Sequence, residues 1–165
     1  MSTPVKSTTV VDCIVKLKDI VRIDGRNPRT IFDKNALKEL ASQIKEAKGI
    51  LTPLLTEKKN TAGQYPLVDG ERRYRALTML ADEGLVFDVP VHIVSPKTNG
   101  EAIYQALISN DGMPLDLFDL ARAVVSLVND HGMDRKQVFL LLGMSNFCPR
   151  MYCINLVEES LERTV

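Results

Sequence analysis

The run Leu67-Val68-Asp69-Gly70-Glu71-Arg72-Arg73-Tyr74-Arg75-Ala76-Leu77 leaves the chain little freedom in its local structure. Apolar residues lead into an Asp-Gly turn, and a helix-forming stretch with one acid and three arginines follows at once. Gly70 has no Cβ, so its backbone can be approached closely by a ligand. The first N–H groups of the helix lack intrahelical acceptors and lie at the positive end of the macrodipole. Arg72 and Arg73 add planar, fork-shaped donors suited to phosphate oxygens. The segment therefore predicts an anion site at a strand–helix junction. Arg75, one turn beyond Arg72, either extends that site or anchors the helix through an ion pair. A solvated basic helix face is the plainer alternative on this segment alone.

The rest of the chain sets the frame around that junction. Its 165 residues suffice for one domain with a respectable core, or for two small ones. Basic and acidic residues, 21 of each, cancel, so the overall charge does not announce a nucleic-acid binder. Cys13, Cys148 and Cys153 are an odd number without CxxC spacing, which argues against a disulfide framework or a zinc site and fits a reducing cytoplasm. The N-terminus shows no long apolar segment, and no apolar run approaches the ~20 residues of a membrane span. Internal repeats and low-complexity segments are not seen.

Residues 1–9 are polar and read as a frayed end. Val10 to Leu17 is rich in β-branched residues and predicts a strand, with Ile20 to Ile23 as a short continuation. A loop built on Gly25 and Pro28 precedes a helix over about Lys34 to Lys48, capped by Asp33 or Asn35, with Leu37, Leu40, Ala41 and Ile44 on one face. Gly49 is placed as its C′ residue. Leu54 to Lys58 and Tyr65 to Val68 pair around the turn residues Asn60 to Gln64. The Glu71 helix runs to about Asp82 and stops at Gly84, and Val89 to Val94 closes the sheet. Strands alternating with helices predict a small mixed α/β layer.

Ser95 to Gly100 marks a change of composition, after which everything reads as helical. Glu101 to Ser109 is one helix, broken at Asn110-Asp111-Gly112. Leu115 to Asn129 carries a strong apolar period, and Asp134 caps a further helix through Leu142. Gly143-Met144-Ser145 then turns into a last helix ending at Glu162, the outline of a helix-turn-helix. A generic helical subdomain is the competing reading. From Met113 onward the chain holds five basic and seven acidic residues, a net charge of −2, which is poor for a stand-alone DNA reader. Ser145, Asn146, Arg150 and Tyr152 are the candidate DNA contacts of this segment.

Asp69 to Ala76 resembles the GERRxRA signature of the ParB partition proteins. Asn27-Pro28-Arg29, Phe32, Leu37, Leu40 to Ile44 and Gly49 to Leu54 resemble the block that opens the ParB N-terminal domain. Together the two blocks cover about Ile20 to Val94, with a weaker match to about Leu156. The resemblance implies an α+β chain: a ParB/sulfiredoxin-like mixed α/β domain over 1–98, then an all-helical, helix-turn-helix-like domain over 99–165. It further implies CTP and Mg2+ as cofactors, DNA as partner, a partner ATPase, and a nucleotide-dependent homodimer. Nucleotide contacts carry over to Gly70, Glu71, Arg72 and Arg73, and to the Gly49-Ile50-Leu51-Thr52 segment, where Thr52 replaces the family glutamine. The third family segment, ENxxR, becomes Ser109-Asn110-Asp111-Gly112-Met113. It keeps Asn110 for the nucleotide and the metal but lacks the acid and the arginine, which predicts binding with weak or absent CTP turnover. The resemblance implies either a short member, as phages and plasmids encode, or a fragment.

Other classes stay open on the sequence. A ParB-like nuclease or ATPase would need clustered metal ligands; Asp69 and Glu71 are candidates, while His92 and His131 stand alone. Sulfiredoxin redox chemistry needs a cysteine where this chain has Glu71. An adaptor or decoy that contacts a host protein fits the acidic helical half.

Overall fold

In a computed structural model, residues 11–109 and 115–141 are described. They form two compact units, one of residues 11–23 and 32–96, the other of residues 24–31, 97–109 and 115–141. The change of unit at Pro96 falls two residues before the expected boundary. The loop Asp24–Ile31, read from the sequence as part of the first domain, groups with the helical unit.

The first unit is built on β1 (Val11–Lys16), β2 (Ile20–Val21), α1 (Lys34–Glu46), β3 (Leu54–Glu57), β4 (Tyr65–Asp69), α2 (Glu71–Asp82) and β5 (Asp88–Val94). Its strands lie in the order β1-β5-β3-β4-β2. Pairing alternates across the sheet: β1 with β5 and β3 with β4 are antiparallel, while β5 with β3 and β4 with β2 are parallel. Two expectations are corrected here. Ile20–Val21 does not continue β1, because a turn of 3-10 helix at Leu17–Asp19 carries the chain away to pair with β4 at the opposite edge. β5 does not close the sheet either; it is an interior strand between β1 and β3.

Burial explains both placements. Val89 and Val91 of β5, Leu54 of β3, Leu67 of β4 and Val15 of β1 are buried with Ala41 and Ile44 of α1 and Ala76, Leu77 and Leu80 of α2. A fully buried leucine such as Leu77 contributes roughly 1.5–3 kcal/mol relative to exposure. The β3–β4 hairpin is shaped by Asn60, whose side-chain oxygen accepts from the N–H groups of Ala62 and Gln64. Asp33 caps α1, its carboxylate accepting from Asn35 N at 2.6 Å and Ala36 N at 3.0 Å. Those bonds hold the Asp33 pKa below its ordinary value.

The end of α1 also departs from expectation. Lys48 takes the left-handed position, φ 57°, and Gly49 follows it. The Gly49 N–H donates to Ile44 O at 3.0 Å and the Lys48 N–H to Lys45 O at 3.2 Å, so Lys48 is C′ and Gly49 is C″ of a Schellman motif. α2 ends as expected, on Gly84 at φ 84°.

The second unit has α3 (Asn99–Ile108), α4 (Leu117–Asn129) and α5 (Arg135–Leu141). Thr98 caps α3 and Asp116 caps α4 through their side-chain oxygens. Ile103, Leu107, Ala121, Val124, Leu127, Val138 and Phe139 form its core. The expected turn at Gly143 and the last helix lie outside the described residues.

Candidate functional site

β4 delivers the chain to the junction and α2 starts one residue later, so Gly70 must make the whole turn. It does so at φ 94°, a left-handed conformation costly to other residues. A Cβ there would lie 2.6 Å from Leu54 Cδ2, and Leu54 is wholly buried. Glycine is thus required by the protein's own packing against β3 as well as by the turn. Gly70 supplies no side-chain cap, and the first N–H groups of α2 gain no partner from it.

The four charged residues that follow divide sharply in use. Glu71 is buried, and its Oε1 accepts from Arg22 Nη1 at 3.0 Å and Arg75 Nε at 2.8 Å, with Arg75 Nη2 on the same oxygen. Arg75 lies over the Phe32 ring, 3.8 Å from its centroid. Of the two roles open to Arg75, the ion-pair anchor is the one observed. Arg73 turns back to the loop before β3, where its Nη1 donates to Thr52 O at 2.7 Å and Pro53 O at 2.8 Å. Its Nη2 stands 3.6 Å from Asp69 Oδ2. Burial lowers the Arg73 pKa from its ordinary value, and the Asp69 charge partly offsets this. Arg72 differs from all three: it is half-buried and has no side-chain partner among the described residues.

These contacts place most of the sequence-selected residues together. Gly70, Glu71, Arg72 and Arg73 form one helix start, and Arg73 ties it to Thr52 at the end of the segment that begins at Gly49. Leu51 in that segment is 92% exposed, so the loop presents an apolar side chain beside a held backbone. Asn110 lies outside the described residues, as do Ser145, Asn146, Arg150 and Tyr152. Arg22 was not selected from the sequence. It reaches Glu71 across 49 positions, a pairing that depends on β2 lying beside β4.

Among the described residues no group of three His, Cys, Asp or Glu side chains could hold an ion. Glu71 already carries two guanidinium groups, so its carboxylate is not an open ligand. His131 stands against the backbone of α3, where a Cβ on Gly100 would meet its Cβ at 2.7 Å.

In the helical unit the loop Asp24–Ile31 is fastened by polar contacts. Asp119 is buried and accepts from Thr30 Oγ1 at 2.8 Å, Thr30 N at 3.2 Å and Arg122. Burial pushes the Asp119 pKa up, but the bonds from Thr30 and Arg122 outweigh it and the net shift is downward. Arg26 donates through Nε and Nη2 to Asn99 Oδ1, at 3.2 and 2.7 Å. Arg29 N donates to Asn27 Oδ1 at 2.8 Å, a turn across the intervening Pro28.

Comparison with known proteins gives this arrangement a setting. A family model described as the ParB N-terminal domain matches residues 4–111. A nucleoid occlusion protein of Bacillus licheniformis is 33% identical over 138 residues, covering 82% of this chain and 47% of that protein. The chromosome-partitioning protein Spo0J of Thermus thermophilus is 34% identical over 145 residues, covering 86% and 51%. The chain thus spans about half the length of the curated relatives it matches. Two structures of C-terminally truncated ParB from Caulobacter crescentus share the fold. The one complexed to the centromeric parS site has a TM-score of 0.60 at 20% identity, covering 88% of this chain and 71% of that one. The other, complexed with CTP-γ-S, has a TM-score of 0.52 at 24% identity, covering 90% and 79%.

Proposed function

The chain belongs to the ParB N-terminal domain family, and from that premise we propose that it is a nucleotide-responsive DNA-binding protein acting in plasmid or phage partition or regulation. Its triphosphate site is the start of α2. The observation that carries this reading is the contrast among neighbours: Glu71, Arg73 and Arg75 are engaged by the protein, while Arg72 has no partner among the described residues. An unpaired guanidinium beside uncapped helix N–H groups is the arrangement that a phosphate completes.

In this reading each residue has a distinct part. Gly70 and the N–H groups after it receive phosphate oxygens, and Arg72 contributes the charge. Arg73 is a positioning residue, since its hold on Thr52 and Pro53 sets the Gly49–Thr52 loop beside the helix start. Glu71 is a positioning residue as well, locking the first turn of α2 through Arg22 and Arg75. CTP is the nucleotide we assign, because a solved ParB of this fold carries CTP-γ-S. Mg2+ would rest mainly on the triphosphate's own oxygens, with Asn110 as the protein group beside it. DNA contact falls to Ser145, Asn146, Arg150 and Tyr152, and the net charge of −2 from Met113 onward makes a second copy of the chain necessary for useful affinity.

Calorimetry with CTP, ATP and GTP plus Mg2+, with and without duplex DNA, tests the reading. CTP is expected to bind, and Arg72→Ala to weaken it at least tenfold through loss of charge-assisted bonds worth roughly 1.5–3 kcal/mol each. Unchanged affinity in a folded Arg72→Ala protein would remove the site from α2. Phosphate release is expected to be slow, since Ser109 and Met113 stand where the family has its acid and arginine. A second reading, an adaptor for a host protein, is favoured by the net charge of −2 from Met113 onward. Absence of DNA binding at every salt and nucleotide condition would select it.

A further inference from the structure

The outward side of α1 sorts its charges. Leu37, Ala41 and Ile44 are the buried residues of the helix. Lys34, Lys38 and Lys45 are exposed, and their spacing of four and then seven residues brings all three within about 40° of one line along the axis. Glu39 and Glu46 share a second line, roughly 110° round the helix, with the neutral Asn35 and Ser42 between. The lysines therefore form a ridge about 16 Å long, set apart from the carboxylates of their own helix.

The helix gains nothing from this arrangement. Lys34 is its first residue and no acid stands in its first turn, so a cation lies at the positive end of the macrodipole. Lys38 follows at i+4, where like charges repel. The carboxylate of Asp33, next to Lys34 in the chain, is taken by the N–H groups of Asn35 and Ala36. Lys45 stands 3.6 Å from Glu83 of α2, but the two side chains are 57% and 59% exposed, so water competes for the pair and it holds little. Lys34 and Lys38 have no ion pair among the described residues.

We infer that this ridge binds the phosphate backbone of duplex DNA without regard to sequence. The inference rests on the DNA-binding reading above and adds to it a surface in the other unit from Ser145, Asn146, Arg150 and Tyr152. Charge selects the occupant. Backbone phosphates supply essentially all non-specific affinity for DNA, and a region with a net charge of −2 from Met113 onward is ill suited to meet them. Duplex DNA carries one phosphate per about 1.7 Å of its axis, so a ridge of this length meets several. The amide of Asn35 and the hydroxyl of Ser42, on the flank of the ridge, are further donors to phosphate oxygens. The repulsion between Lys34 and Lys38 is relieved only when such an anion lies across them.

Fluorescence anisotropy of the full chain with a random-sequence duplex, over a KCl series with and without CTP and Mg2+, tests this. Wild-type affinity should fall linearly with salt on logarithmic axes. Lys34→Gln with Lys38→Gln should flatten that slope by about 2, because each phosphate contact contributes about 0.9, and should weaken binding at about 0.1 M salt at least tenfold. Arginine at both positions should keep the slope and the affinity. Urea unfolding of the glutamine variant should match or exceed wild type, since a like-charge pair is gone. Slope and affinity unchanged in the glutamine variant overturn the ridge alone and leave DNA binding to other residues. A glutamine variant that unfolds more easily overturns it too, by making the lysines structural. Wild-type protein that binds no duplex at any salt overturns the DNA-binding reading and the ridge with it. Vesicles of phosphatidylserine form the last arm: binding to them that the glutamine variant loses, with duplex binding intact, gives the ridge to a lipid surface instead.

Discussion

Among the described residues each unit buries one carboxylate near the start of a helix and clamps it with arginine, yet the two clamps differ in what they hold. Glu71 in the first turn of α2 receives Arg22 from beyond β2 and Arg75 from its own helix, so two cations converge on one anion. Asp119 in the first turn of α4 receives one arginine, Arg122, and completes its shell with the hydroxyl and N–H of Thr30. At Glu71 two guanidinium groups meet one carboxylate in the first turn of a helix whose leading N–H groups have no side-chain cap. Near Asp119 charge is balanced, and the bonds to Thr30 fix a loop 89 positions away. A buried acid is therefore a poor guide to function until its partners are known; here one joins two arginines and the other fastens a backbone.

The sharpest way to break this comparison is at the two crowded glycines. Gly70→Ala combines a left-handed backbone penalty with a clash against buried Leu54, and should cost about 3 kcal/mol. Gly100→Ala carries no left-handed penalty but meets the His131 Cβ at 2.7 Å, which only a backbone shift relieves, and should cost about 1–2 kcal/mol. Urea unfolding of both variants checks the order, and equal losses would mean that the Gly70 turn relaxes.

Removing the first acid comes next. Glu71→Ala leaves two guanidinium groups facing each other and should cost about 2–3 kcal/mol, below the figure for full burial because Arg22 and Arg75 are each more than a third exposed at the side chain or nearly so. Nucleotide affinity, read by calorimetry at a temperature where the variant is folded, should fall as well. Loss of stability with intact affinity would reduce Glu71 to a purely structural residue.

The second acid should answer to pH. Because the folded pKa of Asp119 is depressed, its stabilisation is fully present above the unfolded value of about 3.9 and is lost as pH falls through the folded value. Asp119→Asn should remove that part of the acid sensitivity, read as thermal midpoints between about pH 5 and pH 2. An unchanged acid profile would show that the Thr30 and Arg122 bonds do not form in solution.

The smallest effect is a gain. Lys48→Gly relieves a left-handed lysine and should stabilise the first unit by about 1 kcal/mol, while the acid response of Asp119 stays as it was. Coupled change in both would mean that the units unfold together.

The amino-acid sequence alone determined the elements and the junction that matters. Apolar periodicity placed α1 and α4, because a helical face must be buried every three to four residues. Asp69-Gly70 followed by Glu71 located the strand–helix turn, since few residues other than glycine tolerate φ 94°. What the sequence left open was always a matter of partners distant along the chain. It offered Arg75 two roles, and only the burial of Glu71 between Arg22 and Arg75 chose one. It treated Arg72 and Arg73 alike, and only the nearness of the Thr52 and Pro53 carbonyls separated the anchor from the open cation. It joined Ile20 to β1 and put Asp24–Ile31 in the first domain, because strand neighbours and loop attachments carry no local signal. Periodicity is written in adjacent residues; electrostatic partnership is settled by which surfaces packing brings within about 4 Å of each other.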